Sequence, residues 1–303
     1  MKLLYPFKLV GRIFRNLYFL IFLNGFLLAS ILYFRMQASY ENELFAAIQK
    51  NINKKIDLND TQDSIVVKIM QTCNSLLGNR APVFTESDDL DGVEVSYLHP
   101  ASIDLMTAKG ACGSYSLVLA RLLQNYNLPV RIAQMKANGI YGSHNVVEAK
   151  IHSGWVVLDP TFDLYFVSPE NKLASFADVK NNWDFYSKQV PKEYNNTYKY
   201  EDARYTNWTK IPVLLPLAKK ILDLVIGKER SNNICVRMLF LRIYDVYYYI
   251  SLVLFVLFAI IAIRAAIKTK IFPDYNIPFT RSNIIKYIRL YIENRNIKNS
   301  IKA

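Results

Sequence analysis

Gly110-Ala111-Cys112-Gly113-Ser114-Tyr115 opens the stretch that decides the fold. Behind it, Tyr115, Val118, Leu119, Leu122, Leu123 and Tyr126 recur at helical spacing, which predicts a helix that begins at the thiol and buries one face. Leu128-Pro129-Val130-Arg131 ends that helix and starts Val130 to Ala137, a run rich in β-branched and small apolar residues. Val146 to Ile151 and Trp155 to Leu158 have the same character, so the three runs are expected as successive strands of an antiparallel sheet. The predicted class is α+β, with a cysteine-bearing helix packed on that sheet.

Three chemically active residues fall at the edges of these elements: Cys112, His144 and Asp159. A thiol at a helix N-terminus feels the positive end of the helix dipole, which favours the thiolate. The same end offers backbone N–H groups that suit an oxyanion. Gly110 and Gly113 flank the thiol and suit a tight entry turn. His144 is expected at the start of one strand and Asp159 at the end of the next, and antiparallel pairing sets such ends side by side. Asp159 then accepts one imidazole N–H and leaves the other nitrogen for Cys112. Taken singly, each residue has a bland reading: a small core cysteine, a loop histidine, a turn aspartate before Pro160. The ordered set on three predicted elements favours the chemical one.

Residues 109–161 resemble the core of the transglutaminase-like superfamily of papain-like thiol enzymes. The resemblance rests on Gly110-Ala111-Cys112-Gly113-Ser114, the Leu-rich helix, Leu128-Pro129-Val130-Arg131, His144 with Glu148 four residues on, and Gly154-Trp155 leading to Asp159-Pro160-Thr161. It covers about a sixth of the chain. Lys109 supplies the basic residue that the family often has before the glycine, whereas Val146 stands where many relatives have an aromatic. The resemblance implies acyl transfer on amide or peptide bonds through a thioester, as a protease, amidase or transamidase, with Cys112 as nucleophile, His144 as base and then acid, and Asp159 orienting it. It implies a protein or peptide as substrate; no cofactor is expected, and with three cysteines but no Cys-x-x-Cys or His-rich cluster no metal is expected. No oxyanion-assisting side chain is identifiable upstream of Cys112; His99 is a bare possibility. Val146 and that gap motivate a second reading, a degenerate module that binds or scaffolds in a membrane assembly.

Outward from this core, charge and hydropathy point to a membrane. The net charge of +12 lies wholly at the ends: residues 1–35 carry +5 and residues 264–303 carry +7. A nucleic-acid binder concentrates its excess on the folded domain, so no nucleic-acid partner is expected. Leu17 to Phe34 and Val246 to Ile263 are 18-residue runs free of charge. At 1.5 Å per residue each approaches the roughly 30 Å hydrocarbon core. The first run is too long, and lacks a small-residue end, for a cleaved signal peptide. The expected organisation is a basic N-terminus (1–16), a first span (17–34), an extracytoplasmic domain (36–210, core 60–188), a membrane-proximal amphipathic segment (211–245), a second span (246–263) and a basic tail (264–303). Basic residues before the first span and after the second predict both termini in the cytoplasm and a domain exported across the plasma or inner membrane, with the lipid bilayer as a partner.

Residues 36–80 are expected to be helical, with Asp60 as an N-cap and Gly78-Asn79 as a stop. Cys73 lies on an apolar stripe and is expected to be packed and inert; its pairing with Cys235 is left open. The acidic run Glu86 to Glu94 is a poor calcium loop, since Leu98 stands at the twelfth position. Arg131 is expected in a structural ion pair, Trp155 in the core and His152 in a solvent-facing hairpin. Gln189 to Tyr205 is read as an extended surface segment. Ile211 to Ile226 either lies along the membrane or packs on the domain, and Ser282 to Asn296 forms a further amphipathic helix.

Overall fold

The computed structural model describes residues 16–84 and 100–268. The basic N-terminal segment, the acidic run with His99, and the Ser282–Asn296 helix lie outside the described residues. By its contacts the chain divides into Met1–Ile31 with Ile250–Ala303, and Leu32–Tyr249.

The first unit holds residues 17–31 of α1 (Leu17–Asn53) and residues 250–268 of α10 (Ile243–Lys268), the two long apolar helices. Their apolar windows are only 11% and 6% buried. A core helix of that hydropathy would be mostly covered, so these helices have the length and surface needed to cross a membrane. Asn24, the one strongly polar side chain of the uncharged run Leu17–Phe34, donates its Nδ2 to the Leu20 carbonyl at 2.8 Å within its own helix, and its buried Oδ1 has no partner among the described residues.

The second unit is α+β. Helix α1 runs unbroken to Asn53 and places Phe45 and Ile52 in the core. Glu41 on the same helix accepts the Ser102 N–H at 2.9 Å, at the start of α4 (Ala101–Thr107). Helix α2 (Gln62–Gly78) is capped by Thr61, whose hydroxyl accepts the Ser64 N–H. Asp60, expected as the cap, instead pairs with Lys68 at 2.5 Å and takes the Asp57 N–H. The short α3 (Ala81–Phe84) follows. Helix α5 (Cys112–Asn125) buries Val118, Leu119, Leu122 and Leu123 fully, the face predicted from spacing.

Strands β1 (Val130–Ala137), β2 (Ile140–Ile151), β3 (Gly154–Asp159), β4 (Leu164–Tyr165) and β5 (Ala203–Arg204) form one antiparallel sheet in the order β4-β3-β2-β1-β5. Strand β2 starts earlier than expected, because Asn138 and Gly139 at φ 49° and 81° make a two-residue turn that pairs Ala137 with Ile140. Both faces are covered. Ile132, Val147, Ala149 and Leu158 pack with α2 and α5, whereas Ala133, Met135, Val146 and Val157 pack with Phe166, Phe176, Tyr194 and Tyr200. The second layer includes α6 (Phe176–Asn181) and α7 (Trp183–Tyr186).

Cys73 is fully buried, as expected, and desolvation raises its pKa. It does not pair with Cys235: the Cys73 thiol faces the Tyr115 carbonyl and the Cys235 thiol the Ile132 carbonyl, and both remain free. Helix α8 (Leu214–Ile226) has no buried residue, and α9 (Lys228–Asn232) follows it. Truncating Leu119 to Ala should lower stability by about 2–5 kcal/mol through lost contacts and a cavity. Leu217→Ala, on exposed α8, should change it by less than about 0.5 kcal/mol. Denaturant titration of both variants in mild detergent checks this; equal losses would place α8 in the core.

Candidate active site

The thiol is placed by a turn that the sequence encodes only in part. Helix α4 ends at Ala108 in the left-handed region, and Ala111 sits at φ 44°, ψ −127° immediately before Cys112. A non-glycine residue there costs on the order of 1–3 kcal/mol, and such outliers cluster at functional sites. What holds it is a buried pair. Ser114 Oγ accepts the Gly110 N–H at 3.0 Å and donates to Asp104. A Cβ on Gly110 would come 2.7 Å from Ser114 Oγ, so glycine is required there by close approach. Gly113 is different: a Cβ would meet nothing within 4 Å, so no tight packing demands it.

The structure brings all three predicted residues together. His144 Nε2 lies 2.6 Å from Asp159 Oδ2, and both side chains are buried. The remaining nitrogen, Nδ1, is left for the thiol, and His144 hydrogen-bonds Cys112. Asp159 ends β3 as expected, but His144 lies within β2 rather than at its start. It follows an irregularity where Met135 pairs with His144 and Lys136 skips to Tyr141. Alternation along β2 puts His144 on the Val146 face and Asn145 on the Val147 face, which is the α5 side. Asn145 therefore also reaches the thiol, with Nδ2 3.5 Å from Sγ.

Electrostatics follow this geometry. Burial works to raise the Cys112 pKa. The hydrogen bond and charge of His144, with donors from the Asn145 backbone and side chain, outweigh it and leave the thiol below its ordinary value. Burial also opposes a charged imidazole, yet Asp159 and Cys112 together push the His144 pKa up to about 9. Both shifts favour an imidazolium–thiolate pair.

The remaining walls come from residues that sequence reasoning missed. The Tyr198 ring stacks on the imidazole at 4.5 Å and 9°, and its hydroxyl donates to the Ser143 carbonyl at 3.2 Å. The Tyr194 hydroxyl is 3.3 Å from Asp159 Oδ2 and 3.4 Å from that of Tyr200. Burial holds the Tyr194 pKa far above its usual value, so it stays a donor. The Thr161 N–H donates to Asp159 Oδ1 at 3.2 Å, and Asn74 donates to the Pro160 carbonyl at 2.8 Å. The reading of Gln189 to Tyr205 as a surface segment is thereby corrected: Tyr194 and Tyr200 are buried in it. Its density of tyrosines, too aromatic for a solvated loop, was the available signal.

Other expected residues fall as follows. Arg131 makes the ion pair foreseen for it, two bonds to Glu148 at 2.9 and 3.2 Å, between the rings of Trp155 and Tyr205. Trp155 is half-buried rather than core and borders a cavity of about 370 Å³ with Arg131, Glu148 and Lys180. His152 is exposed in its hairpin. Among the described residues no cluster of His, Cys, Asp and Glu suits a metal ion.

Compared with protein-family models, curated protein sequences and solved structures, the chain finds no match. The site must therefore be judged on its own geometry. Iodoacetamide alkylation of Cys112, followed by peptide mass analysis, should rise with pH at a midpoint below the usual cysteine value of about 8.5. His144→Ala removes the positive partner and should move the midpoint up to that value or beyond. An unshifted wild-type midpoint would contradict the pairing.

Proposed function

We propose that this protein is a membrane-anchored, transglutaminase-like cysteine enzyme that transfers acyl groups from amide or peptide bonds. The observation that carries the reading is one buried imidazole held between the Asp159 carboxylate and the Cys112 thiol. The helix bearing Cys112 against an antiparallel sheet bearing His144 and Asp159 supports a papain-like core.

In this mechanism Cys112 Sγ attacks the carbonyl carbon, and the C–N bond of the tetrahedral adduct breaks. His144, protonated as part of the pair, gives its proton to the departing amine. The thioester on Cys112 is then attacked by water, giving hydrolysis, or by a second amine, giving transamidation. His144 takes the proton of that nucleophile and Cys112 leaves as thiolate. Asp159 holds the imidazole in one tautomer throughout, and Tyr198 holds its plane.

Two membrane-competent helices with exposed apolar surfaces support an integral membrane location, and the basic ends favour both termini in the cytoplasm with the catalytic unit outside. Helix α8 favours lying on the lipid over packing on the domain. Leu214, Leu217, Ile221, Leu224 and Val225 are exposed on it, with Lys220, Lys228 and Arg230 beside them.

Three experiments test this reading. Full-length protein treated with an activated acyl ester and quenched in acid should carry one acyl group, mapped to Cys112. The thioester should be lost faster when a primary amine is added if transamidation is the outcome. A Cys112→Ala variant that supports normal growth or assembly would instead favour a binding module. For topology, Asn196→Cys in a background without other cysteines should react with a membrane-impermeant maleimide in intact cells; reaction only after lysis would invert the orientation.

A further inference from the structure

We propose that the side-chain amide of Asn145 and the backbone N–H of Cys112 form the oxyanion hole of this site. The inference rests on the reading of Cys112 as an acylating nucleophile. Attack by Sγ turns a carbonyl oxygen into an alkoxide two bonds from the sulfur. Donors beside Sγ are therefore placed to meet that oxygen once the acyl group arrives.

The backbone supplies one donor. At the start of α5 the N–H groups of Gly113 and Ser114 both point to the Gly110 carbonyl, at 2.9 and 3.4 Å. Among the described residues no acceptor takes the Cys112 N–H. It also lies at the positive end of the helix. The strained Ala111 conformation, fixed by Gly110, Ser114 and Asp104, sets its direction.

The second donor is Asn145 Nδ2, 3.5 Å from Sγ. Its approach is fixed twice over. The strand points the side chain toward α5, and the Asn145 carbonyl accepts the Ser116 hydroxyl at 3.0 Å, tying β2 to the helix one turn beyond the thiol. Asn145 is 8% exposed, so the donor works where water competes little. An amide is also the suitable chemistry. It stabilises a developing negative charge without adding a cation that would disturb the imidazolium–thiolate pair. Beside it, the open space around Gly113 leaves room for the acyl group.

A competing role is ground-state support of the thiolate, and two reagents separate the roles. Iodoacetamide alkylates the thiolate by displacement at carbon, with no oxyanion. p-Nitrophenyl acetate acylates it through an oxyanion. In full-length protein, rates are compared on their high-pH plateaus, where a shift in thiol pKa no longer matters. Asn145→Ala should leave the alkylation plateau within about twofold and lower the acylation plateau by about 10²–10³-fold. Asn145→Asp, which keeps the shape but adds a negative charge, should lower acylation at least as much.

Equal falls in both plateaus would overturn the proposal, leave Cys112 as the nucleophile and reduce Asn145 to a thiolate-positioning residue. No change in either would remove Asn145 from the site. A wild-type Cys112 that alkylates normally and is never acylated would overturn the nucleophile reading and this one together. Buried Cys73 reports folding in the same experiment. If it becomes alkylated in Asn145→Ala, the comparison is made on Asn145→Asp and Asn145→Ser, which keep a polar side chain.

Discussion

A buried imidazole held between a carboxylate and a thiol is the constraint on which the rest of this site depends. Removing His144 from water disfavours the imidazolium, and only a carboxylate on one side and a thiolate on the other reverse that preference. Both partners lie far off in sequence, on β3 and at the start of α5. The sheet register, the docking of α5 and the tyrosines over the ring all serve to keep three side chains in one line. Val147 paired with Leu158 fixes β2 against β3, and with it the His144–Asp159 distance. The fully buried face of α5 fixes the thiol against the same sheet.

The site also stores strain that its surroundings must hold. Ala111 adopts a backbone conformation that suits glycine, beside the Cys112 thiol. The hydrogen bonds that hold it come from Ser114 and Asp104, both buried. Small residues at positions 110, 111 and 113 leave the sulfur partly open while the helix behind it is sealed. Two thiols with opposite pKa shifts thus coexist in one domain. Cys112 has donors and an opening, whereas Cys73 has neither and is pushed toward the neutral thiol by burial.

Much of this was legible in the chain, for identifiable reasons. Apolar spacing after Cys112 is a local signal and marked α5 and its buried face correctly. β-branched runs marked three strands, and uncharged 18-residue runs marked the two membrane-competent helices. What escaped depends on long-range packing or on turn chemistry. Asn138-Gly139 is a hairpin signal that extends β2 by six residues and places His144 inside the strand. Tyr194 and Tyr198 reach Asp159 and His144, and Tyr200 backs Tyr194, only through the fold, from a segment that looked solvated. Asn145 sits beside His144 in sequence. Its approach to the thiol follows from strand alternation combined with the position of α5, which no local pattern contains.

The pairing of His144 with Cys112 is tested most directly by titrating the imidazole itself. Nuclear magnetic resonance of histidine ring protons or carbons, with His152 and His99 replaced to leave one signal, follows His144 across pH in the full-length protein and in Cys112→Ala. The account predicts a midpoint near 9 in the wild-type protein, falling when the thiolate is removed. A midpoint near the ordinary 6.5 in both proteins would contradict it.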